Sequence, residues 1–297
     1  MDGEARLQWN DAAWLAEAHA WIRGELGDAV TGPIEQPHVR AWSTVLRVPT
    51  DGGPVWFKAN MPVLSREAAI VSVLARRRPD CVPELLAADL ERGWMLQADG
   101  GTRLREAGVE AACWKDMLPL YAGLQLDTAE DRTALLEAGA PDRTLAVLPT
   151  LYDELVAGES AELCALTPRV EELCAELAGL GLPETVQHDD LHDGQIFVRD
   201  GCYRFFDWAE ACVSHPFFTM TVTLQDGLER FRDAYLEPWT RIAPREELEA
   251  AFPTALVLGG ICRALTWRRV IDGMPEPFAA EWADMVPNRL QTLLAAL

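Results

Sequence analysis

Residues 186–210 read VQHDDLHDGQIFVRDGCYRFFDWAE, and this stretch is the most informative part of the chain. Two short apolar runs, at 196–198 and 203–206, flank the turn residues 199–201 and predict a β-hairpin. A hairpin of this size returns the end of its second strand to the loop that precedes its first strand. The sequence therefore predicts that three polar side chains meet at one point, and these are Asp190, Gln195 and Asp207.

Oxygen donors make up this predicted cluster. Two carboxylates and one amide carbonyl are hard ligands, the kind that Mg²⁺ prefers in proteins. A magnesium ion held by such groups commonly binds the phosphates of a nucleotide. We therefore predict nucleotide chemistry at this loop.

The loop at 188–195 and the strand end at 206–208 resemble two elements of the aminoglycoside phosphotransferase family, the small-molecule branch of the protein-kinase-like fold. The family's catalytic loop reads H-x-D-x-x-x-x-N, usually as HGDLHxGN, and its metal-binding strand ends in I-D-W. Here the loop reads HDDLHDGQ and the strand ends in FDW. The main departure is Gln195 in place of the expected Asn. Glutamine keeps the amide oxygen and adds one carbon–carbon bond of about 1.5 Å.

The resemblance implies an α+β, protein-kinase-like two-lobe fold. It predicts a small β-rich, nucleotide-binding N-lobe at 1–98. A large, mainly helical C-lobe at 99–297 would carry the catalytic loop, the metal site and the substrate-binding helices. The glycine pair Gly100-Gly101 permits a flexible connection at this boundary.

Local patterns predict the elements of each lobe. In the first hundred residues they predict a helix at 10–26 capped by Asn10 or Asp11, a hairpin within 34–60, a helix at 65–78 capped by Ser65, and strand-like stretches at 82–88 and 93–97. After Thr102 they predict helices at about 103–126, 130–138, 144–157, 160–179, 216–236, 244–272 and 277–296.

Bulk composition limits the class of protein and of partner. The 297 residues are 49% hydrophobic, which permits a sizeable core. There are 26 basic and 47 acidic side chains, for a net charge of −21, and such a surface repels nucleic acid and anionic membranes. Two interpretations of the acidity stay open: an acidic groove for a polycationic substrate, or a generally acidic surface.

Cysteine usage and hydropathy bear on the compartment. The seven cysteines show no zinc-binding spacing, and several have apolar neighbours, which is typical of buried free thiols in a reducing cytosol. The N-terminus is acidic and polar, unlike a signal peptide. The longest apolar run, 255–262, is too short to span a bilayer. We expect a cytoplasmic protein without a membrane partner; the oligomeric state is left open.

The resemblance assigns roles to the residues around the predicted phosphate site. Asp190 would accept the proton of the substrate hydroxyl, and Asp207 and Gln195 would bind the metal. Lys58, in an apolar strand, would hold the α- and β-phosphates, and Glu67 would form an ion pair with it.

Other positions were assigned by their place in the same pattern. Ser43 would contact phosphate in a covering loop that has no GxGxxG, and backbone groups of Gln97, Ala98 and Asp99 would bind adenine. The remaining loop residues would be structural: His188 and His192 as braces, with Asp189 facing solvent. Acidic residues at about 127–180 would form a wall for amines, or would be solvated helix faces. Most tryptophans on the helical segments would belong to the core, and one or two would line a sugar or amine pocket.

These observations predict an O-phosphotransferase that uses ATP and Mg²⁺ and acts on a hydroxyl of a small polar molecule, cationic or sugar-like. An aminoglycoside or aminocyclitol, as in antibiotic resistance, is the first expectation for the acceptor. A metabolic kinase for a sugar, amino sugar, choline-like amine or homoserine is the alternative. A degenerate nucleotide-binding module without catalysis, suggested by Gln195, is the third hypothesis.

Overall fold

The first helix and a five-stranded antiparallel sheet form the N-terminal part of the computed structural model, which describes residues 7–109, 111–225 and 227–297. Helix α1 spans Ala12–Leu26, and it begins where predicted because the Asp11 carboxylate accepts hydrogen bonds from the backbone N–H groups of Ala13 and Trp14. Its buried face, Ala18 and Ile22, packs on the sheet.

The sheet has the order β1-β2-β3-β5-β4. Its strands are β1 (Glu35–Val39), β2 (Ser43–Thr50), β3 (Gly53–Asn60), β4 (Leu85–Asp89) and β5 (Trp94–Ala98). Alternate residues of the central strands, such as Leu46, Phe57 and Leu96, are fully buried against α1. The same alternation directs Lys58 to the opposite face of β3, toward the C-terminal part of the chain.

Helix α2 (Glu67–Arg77) lies between β3 and β4 in sequence, and it begins differently from the prediction. Ser65 does not cap it: a 3₁₀ turn at Pro62–Leu64 comes first, and the Ser65 hydroxyl donates to the Pro62 carbonyl oxygen at 2.8 Å. The helix therefore opens at Glu67, whose carboxylate is buried.

The C-terminal part is mainly helical. Its helices are α3 (Trp114–Asp127), α4 (Arg132–Glu137), α5 (Leu148–Leu155), α6 (Ala161–Cys164), α7 (Thr167–Ala178), α8 (Met220–Thr223), α9 (Arg232–Leu236), α10 (Arg245–Gly273) and α11 (Met285–Ala296). Short strands interrupt them: β6 (Thr102–Arg103), β7 (Thr185–Gln187), β8 (Ile196–Arg199), β9 (Cys202–Phe205) and β10 (Cys212–Ser214). The α+β two-lobe fold predicted from the sequence is confirmed, and the division into domains at residues 98/99 stays a prediction.

Several predicted helices are shorter or divided in the structure: 144–157 is reduced to α5, 160–179 is divided into α6 and α7, and 277–296 becomes α-helical only at Met285. The predicted helix at 103–126 starts only at Trp114, after β6 and 3₁₀ turns. The stretch 216–236 is divided into α8 and α9. Helix α8 begins only after Thr219, whose N–H and hydroxyl both donate to the Gln187 side chain.

Helix α10 is the longest element, at 29 residues, and has a window of mean hydropathy 1.4. By length and composition alone it could cross a membrane, which the short run at 255–262 did not suggest. Half of that window is buried inside the protein, as a core helix requires.

A buried polar network fixes β7, the strand that precedes the loop at 188–195. The Gln125 amide donates to the carbonyl oxygens of Val186 (3.1 Å) and Pro216 (3.0 Å). The Tyr121 hydroxyl accepts the backbone N–H of His188 at 3.1 Å. Because these groups are buried and satisfied, the loop after β7 starts from a rigid point.

Candidate active site

The predicted hairpin is present and joins β8 to β9, with Asp207 two residues beyond Phe205. His188 braces its two ends, since Nε2 lies 2.7 Å from the Phe206 carbonyl oxygen. Burial lowers the pKa of His188, so the ring is neutral and donates from Nε2. His192 also has a structural contact, because its Nδ1 accepts the Gly194 backbone N–H at 2.9 Å.

Asp190, the predicted base, lies at the centre of this loop. Its Oδ1 is 2.7 Å from Nη2 of Arg263 on α10, and its Oδ2 accepts from the Gln195 amide at 3.4 Å. Burial would raise the pKa of Asp190, but hydrogen bonding with His192 and the charge of Arg263 outweigh it, so the net shift is downward. The carboxylate is therefore ionised at neutral pH and can accept a proton.

Asp189 does not face solvent, so that prediction is wrong. Its side chain is 3% exposed and accepts hydrogen bonds from Thr266 and Arg143. The cause is its left-handed backbone (φ 64°), which places the side chain against α10.

Lys58, Glu67 and Asp207 form a contiguous charged cluster between the sheet and the hairpin. Nζ of Lys58 lies 2.7 Å from Oε2 of Glu67 and 2.5 Å from Oδ1 of Asp207. Glu67 is 1% exposed and also accepts the Asn60 amide at 2.6 Å and the Trp208 backbone N–H at 2.9 Å. One carboxylate thus fixes the lysine, the end of β3 and the residue that follows Asp207.

The charges in this cluster support one another. Burial would lower the pKa of Lys58, yet the carboxylates of Asp207 and Glu67 raise it overall. Burial raises the pKa of Glu67 against the pull of Lys58. For Asp207, burial also acts upward, but the Lys58 ammonium lowers the pKa overall. Lysine and Asp207 are accordingly both charged at neutral pH.

The three predicted oxygen-bearing residues come together. The Phe206 backbone N–H donates to the backbone carbonyl oxygen of Gln195 at 3.1 Å, which holds Gln195 next to the end of the second strand. Asp190 is near enough to Asp207 to raise the pKa of Asp207 by repulsion. Asp207 has a left-handed backbone (φ 66°), which turns it at the strand end.

The donor set fits a magnesium ion that is shared with a nucleotide. The side-chain nitrogen of Gln195 donates to Asp190, which leaves the side-chain oxygen of Gln195 without a hydrogen bond to any described residue. Oδ2 of Asp207 likewise has no hydrogen bond to a described residue, because Lys58 contacts Oδ1. Within 7–109, 111–225 and 227–297, no three His, Cys, Asp or Glu side chains form a metal cluster. Mg²⁺ typically uses one or two protein oxygens and takes the others from phosphate and water, so Asp207 and Gln195 suffice.

The predicted phosphate-covering residue lies in the sheet. Ser43 is the first residue of β2, directly opposite Asn60, and is 4% exposed. Its carbonyl oxygen accepts the Arg40 backbone N–H at 2.8 Å, which closes the turn between β1 and β2. Ser43 is thus buried at the start of β2, and its contact with phosphate stays a prediction.

The predicted adenine-binding stretch lies at the end of β5 and just beyond it. Gln97 pairs with Trp56 of β3. The Ala98 N–H donates to the Glu84 carbonyl oxygen at 2.9 Å, so it is already used within the protein. The Asp99 carboxylate accepts Nε1 of Trp56 at 3.1 Å and contacts Arg199. The roles of these three residues in binding adenine stay predictions.

Sequence reasoning missed an aromatic pair below this stretch. Phe197 and Phe206 stack with ring centroids 3.8 Å apart and planes 14° apart. Gly100 packs on this pair, because a Cβ atom there would lie 2.2 Å from the Phe197 ring. The signal was an aromatic residue on each strand of the hairpin. A flat apolar surface of this kind suits a purine base.

Arg263 is the second residue that the sequence did not reveal. It is 5% exposed, contacts Asp190 and Glu210, and is separated from the loop by more than fifty residues of helix and turn. Burial raises the pKa of Glu210 to about 7 despite Arg263. No local pattern distinguishes Arg263 from its neighbours Arg268 and Arg269.

The fold and this site define a kinase-like phosphotransferase: the Lys58 ammonium, held between two carboxylates, faces the loop that carries Asp190. The sequence profile of the phosphotransferase enzyme family matches residues 35–251, more than half of the chain. The chain belongs to this family. The predictions of family and of a small-molecule kinase are confirmed.

Solved structures of the same fold are similar over nearly the whole chain. A macrolide 2′-phosphotransferase type I has a TM-score of 0.62 and 18% identity, covering 93% of this chain and 97% of that one. The GDP and kanamycin complex of APH(2″)-IIia gives 0.63 and 13%, covering 93% and 99%. A choline/ethanolamine kinase family protein from Mesorhizobium loti gives 0.64 and 15%, covering 95% and 98%. No curated protein sequence matches the chain.

Proposed function

We propose that the protein transfers the γ-phosphoryl group of ATP, with Mg²⁺, to a hydroxyl of a small polar molecule. The observation that carries this proposal is the Lys58–Asp207 contact beside the ionised carboxylate of Asp190. The cytoplasmic location expected from the sequence agrees with a supply of ATP, and it remains part of the proposal.

Each residue has a defined role in this reaction. Asp190 accepts the proton of the acceptor hydroxyl while its oxygen attacks the γ-phosphorus and the bond to ADP breaks. Lys58 binds the α- and β-phosphates, and Glu67 keeps the lysine in place. Asp207 and Gln195 would hold Mg²⁺, which would supply neutralisation of the phosphate charge. Phe197 and Phe206 would provide an apolar surface for the adenine ring of ATP.

An aminoglycoside or aminocyclitol acceptor stays a prediction that the site does not favour. A polycation needs free carboxylates near Asp190, but Asp189 and Glu210 are paired with arginines. In the predicted acidic wall, several carboxylates are likewise paired, namely Asp127 and Asp131 with Arg77 or Arg78, Glu159 with Arg268, and Glu172 and Glu176 with Arg169. A role in antibiotic resistance depends on such an acceptor, so it too stays a prediction that the site does not favour.

The test is ADP release with ATP and Mg²⁺ over a panel of hydroxyl compounds, with Asp190→Asn as the control. Magnesium-dependent turnover that this substitution removes would support the proposal. Binding of ATP without ADP release by the wild type would support the degenerate-module hypothesis instead. The available amide oxygen of Gln195 argues against that hypothesis.

A further inference from the structure

Three hydrogen-bond donors lie on the C-terminal side of the catalytic loop without an acceptor in the described part of the chain. Nε of Arg263 and Nε1 of Trp267 are buried and unpaired. The half-buried guanidinium of Arg289 makes no hydrogen bond or ion pair with any residue of 7–109, 111–225 or 227–297. Buried polar groups are almost always satisfied, so unpaired donors at one place indicate a binding partner.

These donors lie together and next to the proposed base. Arg263 and Trp267 are one turn apart on α10, and the guanidinium carbon of Arg263 is 5.5 Å from the centroid of the Trp267 ring. Arg263 also contacts Asp190. Arg289 is on α11, which packs along α10, and it is near enough to interact electrostatically with Arg263 and Asp190.

The charge balance of this region has an excess of arginine. Three carboxylates are present, Asp189, Asp190 and Glu210, and Arg143 and Arg263 contact all of them. Arg269 lies near Arg143 and Glu210, and Arg289 is the fourth arginine. Burial and repulsion by Arg263 lower the pKa of Arg289, so a neighbouring anion would relieve an unfavourable charge. On the side of Asp190 that faces α10 and α11, a chain with a net charge of −21 thus has four arginines and three carboxylates.

We propose that the acceptor of this phosphotransferase carries an anionic group, a carboxylate or a phosphate, and that Arg289, Nε of Arg263 and Nε1 of Trp267 bind it beside Asp190. This inference rests on the proposed function and names the substrate class of the same site. Arg289, Arg263 and Trp267 offer only donors, so an ammonium group placed against them would meet repulsion from the arginines and would gain no hydrogen bond. Planar guanidinium groups match carboxylate and phosphate oxygens in pairs.

A tryptophan wall borders the donors. Trp267 stacks on Trp282 with ring centroids 5.2 Å apart, and Trp42, from the turn before β2, meets Trp282 at 5.3 Å. Apolar rings beside the arginines lower the local polarity, which strengthens pairing with an anion. They also offer an apolar surface to the carbon skeleton of the acceptor.

The first experiment compares related hydroxyl compounds with and without a carboxylate or phosphate group, at fixed ionic strength and saturating ATP and Mg²⁺. Glucuronate and glucose 6-phosphate are compared with glucose and glucosamine, and homoserine with its amide. The proposal expects an anionic member to have kcat/KM at least about 10-fold above its neutral partner, as for charged hydrogen bonds. The carboxylate and phosphate members separate the two anions. A neutral or cationic member that is equal or better would overturn the proposal.

The second experiment removes the arginine. Arg289→Ala should raise KM for the anionic acceptor about 10- to 100-fold and leave KM for ATP unchanged, while Arg289→Lys should fall between. Arg268→Ala, one residue beyond Trp267 and paired with Glu159, is the matched control and should leave both KM values unchanged. If Arg289→Ala matches the control, the proposal is wrong.

Direct binding decides the case in which no panel member is phosphorylated. With a non-hydrolysable ATP analogue and Mg²⁺ bound, calorimetry should show binding of glucuronate or inorganic phosphate that Arg289→Ala weakens about 10-fold or more. The same affinity in both proteins, or none in the wild type, would overturn the inference. Failure of the proposed function would give a different result. Anions would still bind through Arg289, but the wild type would show no ADP release that Asp190→Asn removes.

Discussion

Replacing Glu67 by alanine tests whether one buried carboxylate holds the phosphate-binding parts together. Glu67 is 1% exposed and contacts Lys58, the Asn60 amide and the Trp208 N–H. Its loss leaves two buried donors unsatisfied, at about 1–3 kcal/mol each, and breaking a buried ion pair costs about 3–5 kcal/mol. Lys58 keeps Asp207 as a partner, which limits the second cost. We expect a loss of about 3–5 kcal/mol in the free energy of unfolding.

The assay is urea denaturation followed by tryptophan fluorescence, with ADP release measured in parallel. Glu67→Gln keeps an oxygen for the Trp208 N–H, so it should cost less stability than Glu67→Ala but raise KM for ATP, since Lys58 would then be held by Asp207 alone. Glu171→Ala, an exposed change on α7, is the control and should shift stability by less than about 0.5 kcal/mol. A Glu67→Ala protein as stable as this control would refute the reasoning.

Three further predictions concern the loop and its surroundings. Asp190→Asn should lower kcat about 10²- to 10⁴-fold with ATP affinity unchanged, as measured by single-turnover kinetics and nucleotide titration. Gln195→Asn should keep magnesium-dependent activity and Gln195→Leu should lose most of it; a wild-type Mg²⁺ titration curve for the leucine variant would exclude Gln195 as a ligand. Burial raises the pKa of Glu210 from 4.5 to about 7 on folding, so the folded state holds the extra proton between these values. The stability of the wild type relative to Glu210→Gln should therefore fall by up to about 3 kcal/mol as pH rises from 4.5 to 7, measured by denaturation at several pH values.

The sequence predicted the parts of the site whose geometry is local. Asp190, Gln195 and Asp207 lie within eighteen residues of one another on a short hairpin, and a hairpin has few ways to close. The partnership of Lys58 with Glu67 also follows from local order, because the strand and the next helix are adjacent in sequence.

The residues that the sequence did not reveal come from distant elements. Arg263 reaches Asp190 across 73 positions, and Asp189 turns inward because Thr266 and Arg143 lie behind it. Neither fact has a local signal, since an arginine on an amphipathic helix and an aspartate in a polar loop both look solvent-exposed in sequence. The group of arginines beside Asp190 depends on such contacts, and the net charge of −21 gave no sign of it.

The 3₁₀ turn Trp208–Glu210 joins the two charged clusters and leads to a last prediction. Glu67 accepts the N–H of Trp208 at its start, while Arg263 contacts Glu210 at its end. Trp208 is fully buried, so the turn moves as a unit and a shift at one end reaches the other. Distant substitutions usually add, but two that share a rigid element couple by about 0.5–3 kcal/mol.

Glu67→Gln and Glu210→Gln should accordingly be non-additive in kcat/KM for ATP. The double-mutant cycle should give an interaction of at least about 0.5 kcal/mol, with the pair costing less than the sum. The reason is that a neutral amide oxygen holds the Trp208 N–H less strongly than the Glu67 carboxylate does, so the first change already weakens the turn. Glu67→Gln combined with Glu171→Ala on the far helix α7 is the control and should be additive. Additivity in both cycles would mean that the lysine cluster and the arginine cluster act independently on the loop. The contact of Arg263 with Asp190 would then have no effect on the phosphate-binding lysine through the turn Trp208–Glu210.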